Sequence, residues 1–159
     1  MKPQKRLILT IVTVLGVLLA FAAPIAAQAS ITEITGTEVC HMFNPINPGT
    51  WTFPDGNVHV RGMVFLCRDE SSDPRETGNI EVVMDANWDS NMLGPIYGTF
   101  RTVTDEGGVW EGTWEGLVTT SGFQYHVTGM GQGRYEGMKI WLDYVNGVFQ
   151  GRILDPHGD

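Results

Sequence analysis

Residues 110–118 read WEGTWEGLV, and every second residue of this stretch is tryptophan, glycine or valine. The residues between them include Glu111, Thr113 and Glu115. Because side chains two apart along a strand lie on the same side of a sheet, the pattern predicts a strand with one buried and one solvated face. Residues 80–88 (IEVVMDANW) repeat the alternation. The two segments indicate a sheet that covers a core on one side only.

The rest of the chain beyond residue 30 also has the sequence features of a β-sheet protein. It lacks helical periodicity and holds 19 of the 20 glycines, roughly twice the usual share. Further strands are expected at residues 32–38, 58–67, 78–88 and 95–103, with loops at residues 44–54 and 69–76. The total is about eight strands. Because an open sheet would expose two edges, we predict an all-β fold, a single closed antiparallel barrel.

Asn146 and Gly147 form the strongest hairpin signal, because both central positions of a type I′ turn need a positive φ. The predicted pairs are Val145 with Val148, Tyr144 with Phe149, Leu142 with Gly151, and Ile140 with Ile153. On the outer face the same register pairs Asp143 with Gln150, and Trp141 with Arg152 as a cation–π contact.

Two further loops extend the register. A two-residue loop at Ser121 and Gly122 would pair Val118 with Tyr125, Gly116 with Val127, Trp114 with Gly129, and Gly112 with Gly131. A five-residue loop at residues 104–108 would pair Phe100 with Gly112, Gly98 with Trp114, and Arg101 with Glu111. Trp114 is thus expected between Gly98 and Gly129, and such alternation of large and small residues fills a small barrel.

The first 29 residues resemble an export signal. Residues 1–6 are basic, residues 7–23 are apolar, and Ala27 and Ala29 form a small-x-small cleavage site. We expect a signal peptide at residues 1–29, a barrel domain at residues 30–159, and a secreted or periplasmic location. An uncleaved anchor is the alternative, since the apolar run approaches the ~17 to 20 residues that span a bilayer.

Cys40 and Cys67 are the only cysteines of the sequence. In an oxidising compartment an even number of cysteines predicts a disulfide. The bond would tie the N-terminal strand or loop to the strand that ends near residue 67. A free, reactive cysteine pair is the weaker alternative.

The surface is expected to be strongly acidic. Residues 1–29 carry three of the ten basic residues and none of the eighteen acidic ones, so removing them changes the formal net charge from −8 to −11. Such a charge repels phosphate backbones and anionic lipids, so we expect neither nucleic acid nor membrane partners after signal cleavage. Solubility outside the cell accounts for the charge. The sequence does not determine the oligomeric state.

Residues 131–137 read GQGRYEG, and Thr128 and Gly129 precede them. This stretch, together with the strand at residues 94–102, resembles the Gly-x-Gly-x-aromatic-x-Gly corner of the allene oxide cyclase and dirigent-like barrels. The resemblance covers the chain from about Asn79 onward. It implies an eight-stranded barrel whose lumen can hold a small apolar molecule. Those families act on plant lipid or phenolic substrates, but none of their polar catalytic residues can be placed in this sequence.

Aromatic residues are the leading candidates for a binding site. Under the predicted register the inward aromatic side chains are Trp88, Trp110, Trp114, Tyr125, Tyr144 and Phe149. They either fill the core or, if the barrel is wide enough, line an apolar pocket. His126 is expected to be exposed, and the side on which His59 lies is ambiguous.

Signals for metal sites and cofactors are weak. The sequence contains no His-x-x-x-His, no paired-cysteine motif and no EF-hand spacing, so we expect no metal and no cofactor. The acidic segments at residues 55–57 and 105–108 are explained as turns, with a weak calcium site as the alternative.

Two functions remain open from the sequence. One is a non-enzymatic barrel that binds a small apolar ligand or a macromolecular partner. The other is an isomerase- or cyclase-like enzyme that acts on a hydrophobic substrate in the lumen, which would require an ionisable side chain near the cavity. The alternation places almost none inside, apart from the hydroxyls of Tyr125 and Tyr144, and this favours binding.

Overall fold

The computed structural model describes residues 28–158 and is built almost entirely of strands. Nine strands are present in this range: β1 (Ser30–Cys40), β2 (Thr50–Thr52), β3 (Val58–Ser71), β4 (Gly78–Trp88), β5 (Gly94–Thr104), β6 (Val109–Thr119), β7 (Gly122–Gln132), β8 (Lys139–Val145) and β9 (Val148–Asp155). Short 3-10 turns occupy Pro54–Gly56 and Gly133–Tyr135. The predicted signal peptide lies outside the described residues except for its last two positions. Within residues 28–158 no helix is long and apolar enough to cross a membrane.

The predicted closed barrel is confirmed. Each strand from β3 to β9 pairs antiparallel with the next, and β1 pairs with both β9 and β3, which closes the ring. The short β2 lies beside the first half of β3, while β1 lies beside its second half. The ring therefore has eight long strands, with β2 as an added ninth.

The hairpin at Asn146 and Gly147 has the predicted register at every pair. Both residues have positive φ values, 53° and 78°. The guanidinium of Arg152 lies 5.2 Å from the ring centre of Trp141, as expected for a cation–π pair. The loop at residues 104–108 also gives the predicted β5–β6 pairing, including Gly98 opposite Trp114.

The predicted β6–β7 register is wrong by two residues. Thr119 pairs with Gly122, so Thr120 and Ser121 form the loop, and Trp114 faces Val127 instead of Gly129. The Thr119 side chain accepts a hydrogen bond from the Ser121 amide at 3.2 Å, which stabilises the turn at this position. Gly122 takes the positive φ of 113° at the start of β7. Because the shift is an even number, every side chain keeps its predicted face.

A β-bulge in β3 resolves the ambiguity at His59. The β3–β4 register shifts between Val60 and Met63, and the Gly62 amide donates a hydrogen bond to Asp85 Oδ1 at 2.8 Å. The extra residue moves the inward positions from even to odd numbers. His59 therefore points outward, where it contacts Asn87 at 2.7 Å.

The Cys40–Cys67 disulfide is confirmed. The two residues are directly opposite each other in the β1–β3 pairing. The bond therefore crosses the seam at which the first strand closes the barrel.

One end of the barrel, called the floor here, is packed with side chains. Trp110 is fully buried and stacks on Tyr135 with 5.1 Å between ring centres. Its indole N–H donates to the Arg75 carbonyl at 2.7 Å. Tyr135 belongs to the Gly133–Tyr135 turn, within the glycine-rich stretch noted in the sequence. The floor closes the end at which β6 begins and β7 ends.

Candidate functional site

A cavity of about 270 Å³ occupies the other half of the barrel. Most of its wall is apolar, and representative lining residues are Phe65, Val82, Met84, Ile96, Phe100 and Leu142. Toward the open end, called the mouth here, its lining consists of Met42, Phe43, Phe123 and the β8–β9 turn at Asn146 and Gly147. Phe43 is 97% exposed, so this end of the cavity borders solvent.

The six aromatic residues predicted for the lumen all lie on its inner side, but only half of them border the cavity. Trp114, Tyr125 and Tyr144 line it. Trp110 belongs to the floor, Trp88 packs against Trp51 with 6.1 Å between ring centres, and Phe149 packs against Tyr144. The aromatic set therefore divides into a cavity wall and a packed core.

The absence of a side chain at Gly98 lets Trp114 lie flat against the barrel wall. A Cβ at this glycine would lie 3.2 Å from the indole nitrogen and 1.9 Å from the Val83 carbonyl oxygen. The indole N–H instead lies 3.3 Å from each of the carbonyl oxygens of Val83 and Thr99. The polar atom of Trp114 is thus satisfied by the backbone, and its ring remains as apolar cavity wall.

Three carboxyl groups lie together beside the cavity, and the expectation that the lumen holds almost no ionisable group is wrong. They belong to Glu38, Asp69 and Glu76; Asp69 is 0% and Glu76 is 2% exposed. Glu38 and Glu76 line the cavity, and Asp69 lies behind them. Glu38 and Asp69 are opposite each other in the β1–β3 pairing, two positions from the disulfide.

The sequence held a signal for only one of these groups. Glu38 alternates with Ile34 and Gly36, which gives it an inward position by the same rule that placed the tryptophans. Asp69 falls in a segment predicted as a loop, but β3 continues to Ser71 and the bulge turns Asp69 inward. Glu76 lies in an irregular loop that folds back into the barrel, and no periodicity marks it.

Two tyrosines hold the carboxyls in place. The Tyr144 hydroxyl donates to Asp69 Oδ2 at 2.6 Å, and the Tyr125 hydroxyl donates to Glu38 Oε2. The two tyrosine rings stack with 4.5 Å between their centres and 11° between their planes. Glu76 and Asp69 also lie within hydrogen-bonding reach of each other. The result is one connected cluster, named the carboxyl–tyrosine cluster here.

Burial raises the pKa of each carboxyl in the cluster. Loss of solvation raises the pKa of Glu38 to about 7, against the effect of the Tyr125 hydrogen bond. The pKa of Asp69 rises to about 8, first through burial and then through the neighbouring Glu38 charge. The pKa of Glu76 is also well above its ordinary value, because of burial and the nearby Asp69. At neutral pH the cluster therefore retains protons that exposed carboxyls have lost.

The cluster has no positive partner in the lumen. Among residues 28–158 no lysine, arginine or histidine lines the cavity. The charge of Arg68 lowers the pKa of Asp69 slightly, but Arg68 lies on the outer face and pairs with Glu70 and Asp105 at 2.9 and 2.7 Å. No N–H or hydroxyl in the described part of the chain donates to the buried oxygens Glu76 Oε2 and Asp69 Oδ1, so the contact between the two carboxyls requires a proton on one of them.

The structure offers poor ligands for a metal ion. In the described range the one group of three potential ligand atoms joins Glu38 with Cys40 and Cys67, whose sulfurs are bonded to each other and cannot act as thiolates. His126 is exposed, as predicted, and contacts Asp143 at 2.7 Å. In the acidic turn at residues 105–108, Asp105 is engaged by Arg68.

No family model, curated protein or solved structure matches this chain. The resemblance of residues 131–137 to the corner of the allene oxide cyclase and dirigent-like barrels therefore stays a prediction. In this structure the stretch packs the floor. A Cβ at Gly131 would lie 2.0 Å from the Tyr135 carbonyl oxygen, so the close turn that buries Tyr135 requires a glycine there.

Proposed function

We propose that the chain is an exported β-barrel that binds a small, largely apolar molecule in its lumen, without catalysis. The observation that carries the proposal is the cavity of about 270 Å³, with its apolar wall and a single polar corner at the carboxyl–tyrosine cluster. Binding sites for small molecules commonly combine an apolar lining with a few polar groups that fix orientation. The cavity is close to the lower end of the ~300 to 1,000 Å³ typical of such sites, which favours a small ligand.

Export is part of the same proposal. The disulfide supports it, because such bonds persist mainly in oxidising compartments. The signal-like pattern of residues 1–29 and the acidic composition of the remaining chain point the same way.

Binding can be tested with prodan, an uncharged probe whose emission shifts to the blue in apolar surroundings. We expect a saturable blue shift with the wild-type protein. Val82→Phe should abolish it by filling the cavity, while Val83→Phe should leave it intact, because Val83 follows on the opposite face of β4. No shift with the wild type, or equal loss in both variants, would contradict the proposal.

An isomerase- or cyclase-like activity is the second candidate, and the position of Glu38 favours it. Its carboxyl borders an apolar cavity and has a pKa of about 7, which suits a group that takes and returns protons near neutral pH. The test is deuterium exchange at the α-carbon of 2-tetralone in D₂O, followed by proton NMR. In this reaction a carboxylate removes the α-proton and the carbon regains a deuteron. Exchange that is faster than in buffer, lost in Glu38→Gln and kept in Glu111→Gln would support catalysis.

A further inference from the structure

The carboxyl–tyrosine cluster is an uncompensated arrangement of like groups. Glu38 and Asp69 are paired across the β1–β3 seam, and Glu76 contacts Asp69 from the following loop. Like charges that are directly opposite each other in a sheet destabilise it. No basic residue of the described range lines the cavity to offset them.

Glu76 lacks a fixed hydrogen-bond donor. It is 2% exposed, its side chain lines the cavity, and no N–H or hydroxyl of the described range donates to its Oε2. Its contact with Asp69 therefore needs a proton on one of the two carboxyls. A ligand that brings a positive charge to the cavity side of Glu38 and Glu76 would stabilise the ionised form of these carboxyls.

The aromatic wall beside the carboxyls suits a positive charge. Tyr125 and Tyr144 are stacked next to Glu38 and Asp69, and the edge of one ring meets Trp114 with 5.7 Å between the centres of Trp114 and Tyr125. Faces of tyrosine and tryptophan attract cations, and the attraction is larger in desolvated sites. Carboxylates and aromatic faces are thus combined at one corner of an otherwise apolar cavity.

We propose that the ligand is a small apolar amine, held as its ammonium ion between Glu38, Glu76 and the aromatic wall, with Asp69 supporting the two carboxyls from behind. The inference rests on the proposed binding function and names the ligand class. The amine end supplies the positive charge that the cavity lining lacks, together with hydrogen-bond donors for Glu38 and Glu76. The apolar end fills the remainder of the cavity. The acidic exterior would also attract a cationic ligand to the protein.

A bare metal ion fits this corner less well. In the part of the chain that the structure describes, the oxygen atoms of Glu38, Asp69 and Glu76 do not converge within 4.8 Å as a set of metal ligands would. An ammonium group needs direct contact with only one or two of these carboxyls, and a further carboxyl attracts it over a longer distance through its charge.

Binding of an ammonium should release protons from the cluster. The groups that face one another are Glu38, Asp69, Glu76, Tyr125 and Tyr144, with Arg68 and Asp73 acting from outside. An alkylamine stays protonated up to about pH 10. The carboxyls, by contrast, ionise across neutrality, so the affinity for the amine should rise from pH 6 to pH 8.

The experiment compares three ligands with one apolar body: 4-phenylbutylamine, 4-phenylbutan-1-ol and 4-phenylbutyrate, each titrated calorimetrically into the wild-type protein at pH 7.5. We expect the amine to bind about tenfold or more tightly than the alcohol, as a charged hydrogen bond implies, and the acid to bind weakest. Titrations of the amine in phosphate and in Tris should give different heats, because the buffer takes up the released protons.

Isosteric variants show which carboxyls are responsible for the preference for the amine over the alcohol. Glu38→Gln and Glu76→Gln should reduce the amine's advantage to less than about threefold while the alcohol still binds, as the removal of a charged hydrogen bond implies. Glu111→Gln, an exposed acid on β6, should change neither ligand. Circular dichroism of each variant checks folding, and the buffer comparison on the wild type gives an answer even if a variant does not fold.

The outcomes separate the two proposals. An alcohol that binds as tightly as the amine, an amine titration without proton release, or an amine preference that survives in both variants would overturn the amine inference and leave the binding function standing. Failure of all three ligands and of prodan would overturn the binding function itself.

Discussion

Glu38 and Asp69 are opposite each other on the inner side of the β1–β3 seam, two positions from the disulfide that crosses it. The seam is the last contact that closes the ring. The two carboxyls therefore lie where β1 meets β3 and closes the barrel.

Stability should fall as the pH rises from about 4 to 8. The folded-state pKa values of Glu38 and Asp69 are about 7 and 8, above ordinary values of 4.5 and 3.8, so the folded protein binds more protons than the unfolded chain in this interval. The stabilisation that these two carboxyls contribute is complete below their ordinary pKa values, and it is lost as the pH rises through their raised pKa values in the folded protein. The decrease should exceed ~1 kcal/mol, the energy of one pKa unit.

Urea unfolding at a series of pH values tests whether stability falls as the pH rises. The double variant Glu38→Gln, Asp69→Asn should flatten the decrease, while the exposed Glu111→Gln should reproduce the wild-type profile. A wild type that becomes more stable from pH 5 to pH 8 would show that the cluster is ionised in the folded state.

Gly98→Ala should destabilise the barrel by about 1 to 3 kcal/mol through overpacking. The added Cβ would lie 1.9 Å from the Val83 carbonyl oxygen and 3.2 Å from the Trp114 indole nitrogen, so strands β4 and β5 or the indole must move. Where an alanine is unhindered in a strand, it should stabilise the protein slightly relative to glycine. A decrease in stability would therefore indicate overpacking, and an increase would contradict it. Denaturant melts give the free energy, and Thr99→Ala on the outer face is the control.

Loss of the disulfide should cost about 3 to 4 kcal/mol, because the bond closes a loop in the unfolded chain. The two cysteines are 27 positions apart in the sequence. Intact mass under non-reducing conditions should show two hydrogens fewer than the reduced protein. Denaturant melts of the wild type and of the double variant Cys40→Ala, Cys67→Ala then give the difference in the free energy of unfolding. Two free thiols in the oxidised preparation would exclude the bond.

Trp110→Phe should cost about 1 to 3 kcal/mol, since it removes the indole N–H that donates to the Arg75 carbonyl and leaves that buried oxygen unpaired. Trp141→Phe is the matched control, because Trp141 lies on the outer face and has no such bond among the described contacts. Thermal or urea melts compare the two, and equal small losses would mean that the floor does not depend on this hydrogen bond.

Alternation predicted the barrel because most strands keep a strict period of two between buried and solvated residues. The hairpin at Asn146 and Gly147 set its register correctly, since positive φ at both positions permits few other turns. The predicted β6–β7 register was wrong because Thr120 and Ser121 have no preference for a particular turn. The turn is fixed by two hydrogen bonds of the Thr119 hydroxyl, which donates to the Gly122 carbonyl and accepts from the Ser121 amide, and residue spacing does not reveal them.

The candidate site was harder to predict than the fold. The bulge at Gly62 reverses the inward positions of β3, so counting from the start of the strand assigns Asp69 to the wrong face. Glu76 reaches the lumen from a loop, where spacing along the chain does not determine direction. Of the three acids only Glu38 follows regular alternation, while Asp69 lies beyond a bulge and Glu76 lies in a loop.

The stacked pair of Trp110 and Tyr135 fills one end of the barrel, and the cavity borders solvent at the opposite end. Under the proposed binding function, a ligand would enter and leave past Met42, Phe43 and Phe123 at the mouth. If the proposed ligand binds there, different ligands should compete for one place, with one molecule per chain, and substitutions at the mouth should alter residence time more than the choice of ligand.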